Sequence, residues 1–204
     1  MEREVIAGTV AEGAVFTGVD WGSVIDGEYL RCTFVGSRLS EGTAAESRFV
    51  ECRFEKCDLN LWRPINSVIG GCLFIDCRML GIDWTQAVWP RVPLHEANVF
   101  TRCDLSLGAF ADLDLGPVLF EECRLREVSF RHARMAGADL SGSDCLGADF
   151  YAADLSGARL VGVKDLSVDP RTAKLEGSTV NAVTGMAILE SLGITLEASE
   201  LDPH

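Results

Sequence analysis

The eight cysteines are the residues of this sequence that are most obviously capable of chemistry. Cysteines can form disulfides or bind zinc, and zinc sites typically use a Cys-x2-Cys spacing. Here the spacing is mostly five or a multiple of five, as in Cys52, Cys57, Cys72 and Cys77. Because no short zinc knuckle occurs, we predict no metal site and no cofactor.

Candidate catalytic residues are few. The three histidines, His95, His132 and His204, show no recognisable spacing to a nucleophile. The sequence also lacks the Gly-x-Ser-x-Gly, phosphate-loop and Gly-x-Gly-x-x-Gly motifs. Aspartates often precede a large apolar residue. Carboxylates close to one another are therefore expected from this repeated pattern and do not indicate acid-base chemistry. We predict that the protein is not an enzyme.

Net charge and length limit the class of protein. The chain has 204 residues and a net charge of −13, which suits one domain and excludes a groove that neutralises phosphates. Such a surface could instead attract a protein whose own site is built for DNA. The sequence has neither a run of apolar residues long enough to cross a bilayer nor a signal peptide, so we expect a cytoplasmic protein.

A period of five residues organises the chain. A helix repeats near 3.6 residues and a strand at 2, so a sustained period of five needs a repeat architecture. Large apolar residues recur from Phe34 to Leu94 and, after a shift of one, from Phe100 to Leu160. All 26 of these positions are apolar, although only 48% of the chain is hydrophobic.

Two residues before each large residue lies a mostly small one, and this position explains the cysteines. Seven of the eight occupy it, and the eighth, Cys145, takes a large position. We therefore predict free, buried cysteines that act as small hydrophobic residues.

The alternation of small, polar and large residues resembles the pentapeptide-repeat family. The resemblance implies an all-β solenoid, a right-handed quadrilateral β-helix with four pentapeptides per coil and a short C-terminal helix. At four per coil, 26 pentapeptides make about six and a half coils. The tract from Asp76 to Trp84, followed by Trp89-Pro90, resembles the members that protect DNA gyrase. These members give immunity to albicidin or microcin B17, or resistance to quinolones.

The frame divides the chain into three parts. Residues 1–15 are predicted to form a lead-in strand or cap, residues 16–165 the repeats, and residues 166–204 a C-terminal cap with an acidic tail. Residues 22–28 break the frame and predict a loop or an irregular coil. The frame slip lies at residues 95–99, where we expect a bulge with His95, Glu96 and Ala97 turned outward.

The C-terminal part carries the signals of a helix. Asn181 or Thr184 could cap a helix that runs to Leu192, with Gly193 as its stop. In the gyrase-directed members a helix here joins two subunits end to end, so the resemblance implies a homodimer. Packing on the chain's own last coil is the alternative. The predicted dimer residues are Met186, Ile188, Leu189 and Leu192.

The outward aspartates predict two acidic faces. If the slip adds one residue to a coil, Trp84, Leu105, Leu125 and Cys145 share a face, and Leu94, Leu115, Met135 and Leu155 share another. Columns of carboxylates would loosely imitate the phosphates of duplex DNA. They could equally be a solvated face that keeps the rod soluble. The candidate contact residues are Asp83, Asp104 and Asp144 on the first face and Asp114 and Asp154 on the second, with Asp76 and Glu96 at its edge.

Two functions follow from these observations. The first is a non-catalytic DNA mimic that binds a type II topoisomerase such as DNA gyrase, and protects it from a toxin or an antibiotic or inhibits it. The second is a scaffolding or regulatory module that binds another protein through the rod. A homodimer is expected for the first, and its absence would favour the second.

Overall fold

A computed structural model of the chain describes residues 8–22, 24–90 and 97–195, which form a solenoid of about eight turns with one short helix. The predicted β-solenoid is confirmed. It has more turns than the estimate of six and a half because it extends beyond the two runs from which the estimate was made. No helix in the described ranges is long and apolar enough to cross a membrane.

Short parallel strands build the solenoid. In chain order they are β1 (Thr9–Glu12), β2 (Val15–Thr17), β3 (Val24–Ile25), β4 (Gly27–Leu30), β5 (Thr33–Val35), β6 (Thr43–Ala45), β7 (Arg48–Val50), β8 (Arg53–Glu55), β9 (Arg63–Ile65), β10 (Val68–Gly70), β11 (Leu73–Ile75), β12 (Val99–Thr101), β13 (Leu119–Glu121), β14 (Arg159–Leu160) and β15 (Thr179–Val180). A 3-10 turn covers Trp84–Gln86, and helix α1 covers Ala182–Ser191.

Four faces follow one another around each coil. Face A holds the ladder from β2 through β5, β8, β11 and β12 to β13, and face D holds β1, β4, β7 and β10. Face C holds β3, β6 and β9, and beyond β9 the 3-10 turn takes the place of the next strand. Face B, between A and C, is a column of single bridges in place of strands.

Corners separate the faces. In one coil the corner residues are Glu41, Glu46, Glu51 and Lys56, with φ of 59°, 53°, 52° and 52°. This left-handed backbone conformation costs an L-residue about 1–2 kcal/mol, so the stacking of coils must offset it. Many later corners are glycines, for which the conformation is free of strain.

Both inward positions of the pentapeptide fill the core. Phe34, Phe54, Phe74, Phe100 and Phe120 stack along face A, with successive ring centroids 4.6–5.0 Å apart. This spacing is close to the distance between paired strands, so each ring rests on the ring of the neighbouring coil. The large positions of the two runs are buried, apart from half-buried Trp89 and Leu94, which lies outside the described residues.

The frame slip is larger than the sequence suggests. Phe54 pairs with Phe74, twenty residues on, but Phe74 pairs with Phe100, twenty-six residues on. The extra six residues fall between Trp89 and Phe100, where residues 91–96 lie outside the described ranges. The expectation of a 21-residue coil is therefore wrong. Of the six extra residues, one shifts the five-residue frame and is visible in the sequence. The other five leave the frame unchanged, but they change which later pentapeptide lies on which face.

Paired strands are also present in the predicted lead-in and in the predicted C-terminal cap. Strand β1 pairs with β4, and β15 pairs with β14, so paired strands reach from Thr9 to Val180. The coil that contains residues 22–28 is short, since Phe16 pairs with Phe34 only eighteen residues on. Helix α1 follows directly and is confirmed, with Asn181 Oδ1 accepting a hydrogen bond from Thr184 N at 2.9 Å.

Candidate partner-binding surfaces

The interior contains buried thiols without the geometry of a metal site. All eight cysteines are free and buried, as the register predicts. No group of three or more metal-binding side chains occurs in the part of the chain that the structure describes. Burial raises the pKa of Cys145 to about 12, and the neighbouring Cys123 thiol, together with burial, raises the pKa of Cys103 to about 12. These two thiols are therefore protonated and unreactive at neutral pH.

The thiols are also hydrogen-bond donors, a role that the sequence did not reveal. Cys77 Sγ donates to the carbonyl of Phe54 at 3.4 Å, and Cys123 Sγ donates to that of Phe100 at 3.3 Å. Ser143 makes the same bond to the carbonyl of Phe120 at 2.8 Å. Cysteine and serine are thus alternative ways to satisfy a carbonyl of the preceding coil.

The outward column on face B alternates in charge at every coil. Its eight positions hold four aspartates and four basic residues. They follow the order Asp20, Arg38, Asp58, Arg78, Asp104, Arg124, Asp144 and Lys164. Neighbouring charges form ion pairs, such as Asp58–Arg78 at 2.7 Å and Asp104–Arg124 at 3.1 Å. We call this column the charge ladder, and it is electrically neutral.

Face D repeats the alternation in its C-terminal half. Asp114, Arg134, Asp154 and Lys174 follow one another in successive coils. Arg134 pairs with Asp114 at 3.1 Å, and Lys174 pairs with Asp154 at 3.3 Å. The charge of the protein is therefore not gathered on this face.

The structure separates residues that the 21-residue coil had grouped. Asp104 and Asp144 do share face B, but Asp83 lies on face C opposite Ala109, so its placement with them is wrong. The Asp83 carboxylate accepts hydrogen bonds from Thr85 N at 3.1 Å and Gln86 Nε2 at 2.9 Å, within the 3-10 turn.

Most of the predicted contact carboxylates already have a basic partner. Asp104 and Asp114 are paired as described, and Asp144 pairs with Arg126 at 2.7 Å. Asp76 pairs with Arg102 at 2.7 Å, and this guanidinium holds the pKa of the Asp76 carboxyl below its usual range. Glu96 lies outside the described residues.

The described histidine has no catalytic environment. His132 is an exposed corner residue with φ of 56°, and its ring contacts that of Tyr151 with centroids 5.7 Å apart. Arg131 lies 4.6 Å from the centroid of the Tyr151 ring and pairs with Asp149. His95 and His204 lie outside the described residues.

The C-terminal helix both packs on the solenoid and exposes apolar side chains. Thr184 is buried, Ile188 packs against the core, and Ser191 Oγ donates to the carbonyl of Val168 at 3.0 Å. Of the predicted dimer residues, Met186 and Leu192 are exposed, Leu189 is half-buried, and Ile188 faces the chain's own last coil. Val183 is 66% exposed on the same helix and was missed by sequence reasoning.

A row of exposed leucines was also missed. Leu61, Leu80, Leu107 and Leu146 lie at or next to the corner between faces B and C. The signal was present in the sequence, since each leucine occupies one of the two outward positions that follow a large core residue. The predicted contacts Asp83, Asp104 and Asp144 each precede a large core residue, whereas the leucines follow one.

Each square coil turns a corner every five residues, and two positions of each pentapeptide point into the core. This is the geometry of a pentapeptide-repeat solenoid. Residues 123–164 match the model of the family described as pentapeptide repeats, in eight copies. Residues 123–164 are therefore pentapeptide repeats of this family.

Solved structures of the same fold include QnrB1, described as a plasmid-mediated fluoroquinolone resistance protein. One trypsin-treated variant of it is 20% identical, with a TM-score of 0.69, over 92% of this chain and 100% of that chain. A second trypsin-treated variant is 22% identical, with a TM-score of 0.65, over 95% of this chain and 100% of that chain. Among curated protein sequences none is significantly similar to this chain.

Proposed function

We propose that this chain is a non-catalytic, cytoplasmic protein that binds DNA gyrase or a related type II topoisomerase and protects it from a toxin or an antibiotic. The observation that carries the proposal is the square solenoid of the described residues, which has the fold of a fluoroquinolone resistance protein over nearly the whole chain. The net charge of −13 supports a partner with a basic surface, such as the DNA-binding site of a topoisomerase.

The proposed contact surface uses carboxylates that exchange their partners. Exposed ion pairs contribute up to about 1 kcal/mol each, so an arginine or lysine of the topoisomerase can replace the internal partner of Asp104, Asp144, Asp114 or Asp154. Asp83 needs no such exchange, because no ion pair holds it within the described residues. The rod would occupy the place of DNA in this complex, with Asp76 and Glu96 as further contacts.

We propose that the active form is a homodimer joined at the C-terminal helices. Exposed Val183 and Met186 on α1, with exposed Leu192 directly after the helix, support an apolar contact between two copies. Leu189 would join this contact, whereas Ile188 would hold α1 on its own solenoid. No cofactor takes part.

Inhibition of supercoiling by gyrase tests the proposal. Purified protein should inhibit supercoiling, and inhibition should weaken as salt rises, because salt screens attraction between opposite charges. Asp83→Lys combined with Asp104→Lys should weaken inhibition, whereas Glu55→Lys combined with Glu121→Lys, both on face A, should not. Equal inhibition by all variants would exclude these carboxylates, and no inhibition by the wild type would exclude the topoisomerase.

A scaffolding role is the second candidate, and the neutrality of the charge ladder favours it. A face with four acids and four bases offers little net attraction to a DNA-binding site. The exposed leucines beside the ladder support a partner bound through apolar contacts instead. Capture of a partner other than a topoisomerase, lost on substitution of these leucines, would establish this role.

A further inference from the structure

The exposed leucines form an apolar edge at the corner between faces B and C. Among the solenoid residues that the structure describes, the exposed leucines are Leu61, Leu80, Leu107 and Leu146, with exposed fractions of 51%, 37%, 54% and 48%. We call these four residues the leucine edge. Large apolar side chains gathered in one place on a soluble surface mark contact sites more often than scattered ones do.

In its central coils the leucine edge follows directly stacked corners. Leu61 N donates to the carbonyl of Leu80 at 2.8 Å, which places the two residues in adjacent coils. A Cβ on Gly81 would lie 2.8 Å from Leu61 Cδ2, so the Leu61 side chain lies directly over this glycine. Leu107 occupies the same corner one coil further on. Because Gly81 has no side chain, the Leu61 side chain can lie over this corner, which is between Leu61 and Leu107 in the stack.

A depression on face C adjoins the edge. It has a volume of about 530 Å³ and is lined by Leu61, Arg63, Gly81, Asp83 and Glu41, among others. The 3-10 turn at Trp84–Gln86 follows β9 where a further strand would continue the sheet. A partner on the leucine edge thus finds a concave surface beside it.

Unpaired acids bracket the central part of the edge. Glu41 and Glu127 occupy the same corner as Leu61 and Leu107, before and after them in the stack, with φ of 59° and 54°. Neither glutamate is in an ion pair within the described residues, which leaves both carboxylates available to a basic partner. Asp83 adds a third negative charge, and Arg63 is the one described cation that lines the depression.

The dimensions fit one helical element of a partner. From Glu41 through Leu61, Gly81 and Leu107 to Glu127 the corner advances four coils, or about 19 Å at the spacing of paired strands. An α-helix of about 13 residues has this length.

We propose that the leucine edge binds an amphipathic, basic α-helix of the partner protein. The apolar face of that helix would rest on Leu61, Leu80 and Leu107, and a lysine or arginine near each end would meet Glu41 and Glu127. The inference rests on the proposed function only in that this chain acts by binding a protein. It assigns the contact to the corner between faces B and C, and Asp83 is the one residue that this surface shares with the proposed topoisomerase contacts.

Binding of a designed peptide to the full-length protein tests this inference. The probe is a fluorescent helical peptide with leucines on one face and lysines at both ends, followed by fluorescence anisotropy. Leu61→Glu combined with Leu107→Glu should weaken binding by at least about tenfold, the scale expected for loss of central apolar anchors. Val15→Glu is the matched control, since Val15 is 66% exposed on face A, and it should bind like the wild type.

A second pair of variants tests the charges. Glu41→Lys with Glu127→Lys should weaken binding of the peptide, and replacement of the terminal lysines by glutamates should have the same effect. Glu46→Lys with Glu122→Lys is the control, because these glutamates occupy neighbouring corners with φ of 53° and 52°. An equal loss of peptide binding in both double variants would show that the effect depends only on net charge and would overturn the proposed site.

Other outcomes separate this inference from the proposed function. If the peptide does not bind while gyrase is inhibited, the leucine edge is not the contact surface and the topoisomerase proposal stands. If the peptide binds at the edge and gyrase is unaffected, the edge is supported and the topoisomerase is excluded. Binding of the wild type, but not of the leucine variant, to phosphatidylglycerol vesicles without peptide binding would assign the edge to a membrane and overturn the inference.

Discussion

Ser143 shows how one inward side chain completes the backbone at a corner. Its hydroxyl accepts a hydrogen bond from Cys123 N at 2.9 Å and donates one to the carbonyl of Phe120 at 2.8 Å. Both backbone groups belong to the preceding coil and are buried. A serine or cysteine at the small inward position therefore adds a hydrogen bond to its small size, whereas alanines such as Ala133 and Ala138 contribute small size alone.

Substitution of Ser143 should separate size from hydrogen bonding. Ser143→Ala leaves one buried donor and one buried acceptor without a partner and should lower the free energy of unfolding by about 1–3 kcal/mol. Ser143→Cys keeps a donor of the kind that Cys123 already provides and should cost clearly less. Urea unfolding measures both, and an alanine variant as stable as the cysteine variant would contradict this role.

The buried thiols predict a loss of stability at alkaline pH. The pKa of Cys103 is raised to about 12 in the folded protein, whereas an unfolded cysteine titrates near about 8.5. The contribution of this thiol to stability is therefore complete below about pH 8.5 and declines as the pH rises toward 12. The urea midpoint should fall over this range.

The variant Cys103→Ser supplies the control for the thiol, because tyrosines and lysines also titrate at high pH. It should show a smaller decline of the urea midpoint than the wild type. Alkylation at neutral pH should modify the cysteines only after urea is added. Rapid modification of the native protein would contradict the burial of the thiols.

At the scale of an element, the ion pairs of the charge ladder are joined in one alternating column along face B. Each basic residue inside it lies between two aspartates of adjacent coils. Asp104→Lys would place three cations in succession, at positions 78, 104 and 124. We expect a loss of up to about 1 kcal/mol, which shrinks at high salt because exposed charges are screened.

Thermal unfolding at low and high salt measures this effect. Asp112→Lys is the matched control, since Asp112 is a corner residue outside the ladder and in no ion pair within the described residues. A salt-independent loss in the ladder variant, or an equal loss in both variants, would show that alternation contributes nothing.

The exposed residues at helix α1 should be needed for the dimer but not for the stability of the fold. Met186→Arg combined with Leu192→Arg places charges on exposed positions and should give a monomer of nearly unchanged stability. Ile188→Arg should instead destabilise the end of the solenoid, because Ile188 packs against the core. Analytical ultracentrifugation and urea unfolding distinguish the two, and a wild type that is monomeric at all concentrations would contradict the proposed dimer.

At the scale of the whole molecule, the sequence predicted the core better than the surface. The period of five identified both inward positions, since burial is decided within one pentapeptide. Which residues of successive coils share a face depends on the number of residues per coil. The extra residues between Trp89 and Phe100 change that number without changing the five-residue period. Asp83 was therefore grouped with Asp104, although the two lie on different faces.

The surface chemistry of the rod also depends on contacts between coils. Alternation along the charge ladder is invisible in a single repeat, because its neighbours are 18 to 26 residues apart in the chain. The same holds for Leu61, whose position over Gly81 is a contact between adjacent coils. Both features emerge only when the coils are stacked in the correct register.

The most direct test of the central claim is DNA cleavage by gyrase in the presence of a fluoroquinolone, with and without the purified full-length protein. The proposed function predicts that the protein lowers the amount of drug-stabilised cleaved DNA, and that Asp83→Lys with Asp104→Lys lowers it less. Val15→Glu should act like the wild type. Unchanged cleavage, at protein concentrations well above that of gyrase, would contradict the proposed protection of a topoisomerase.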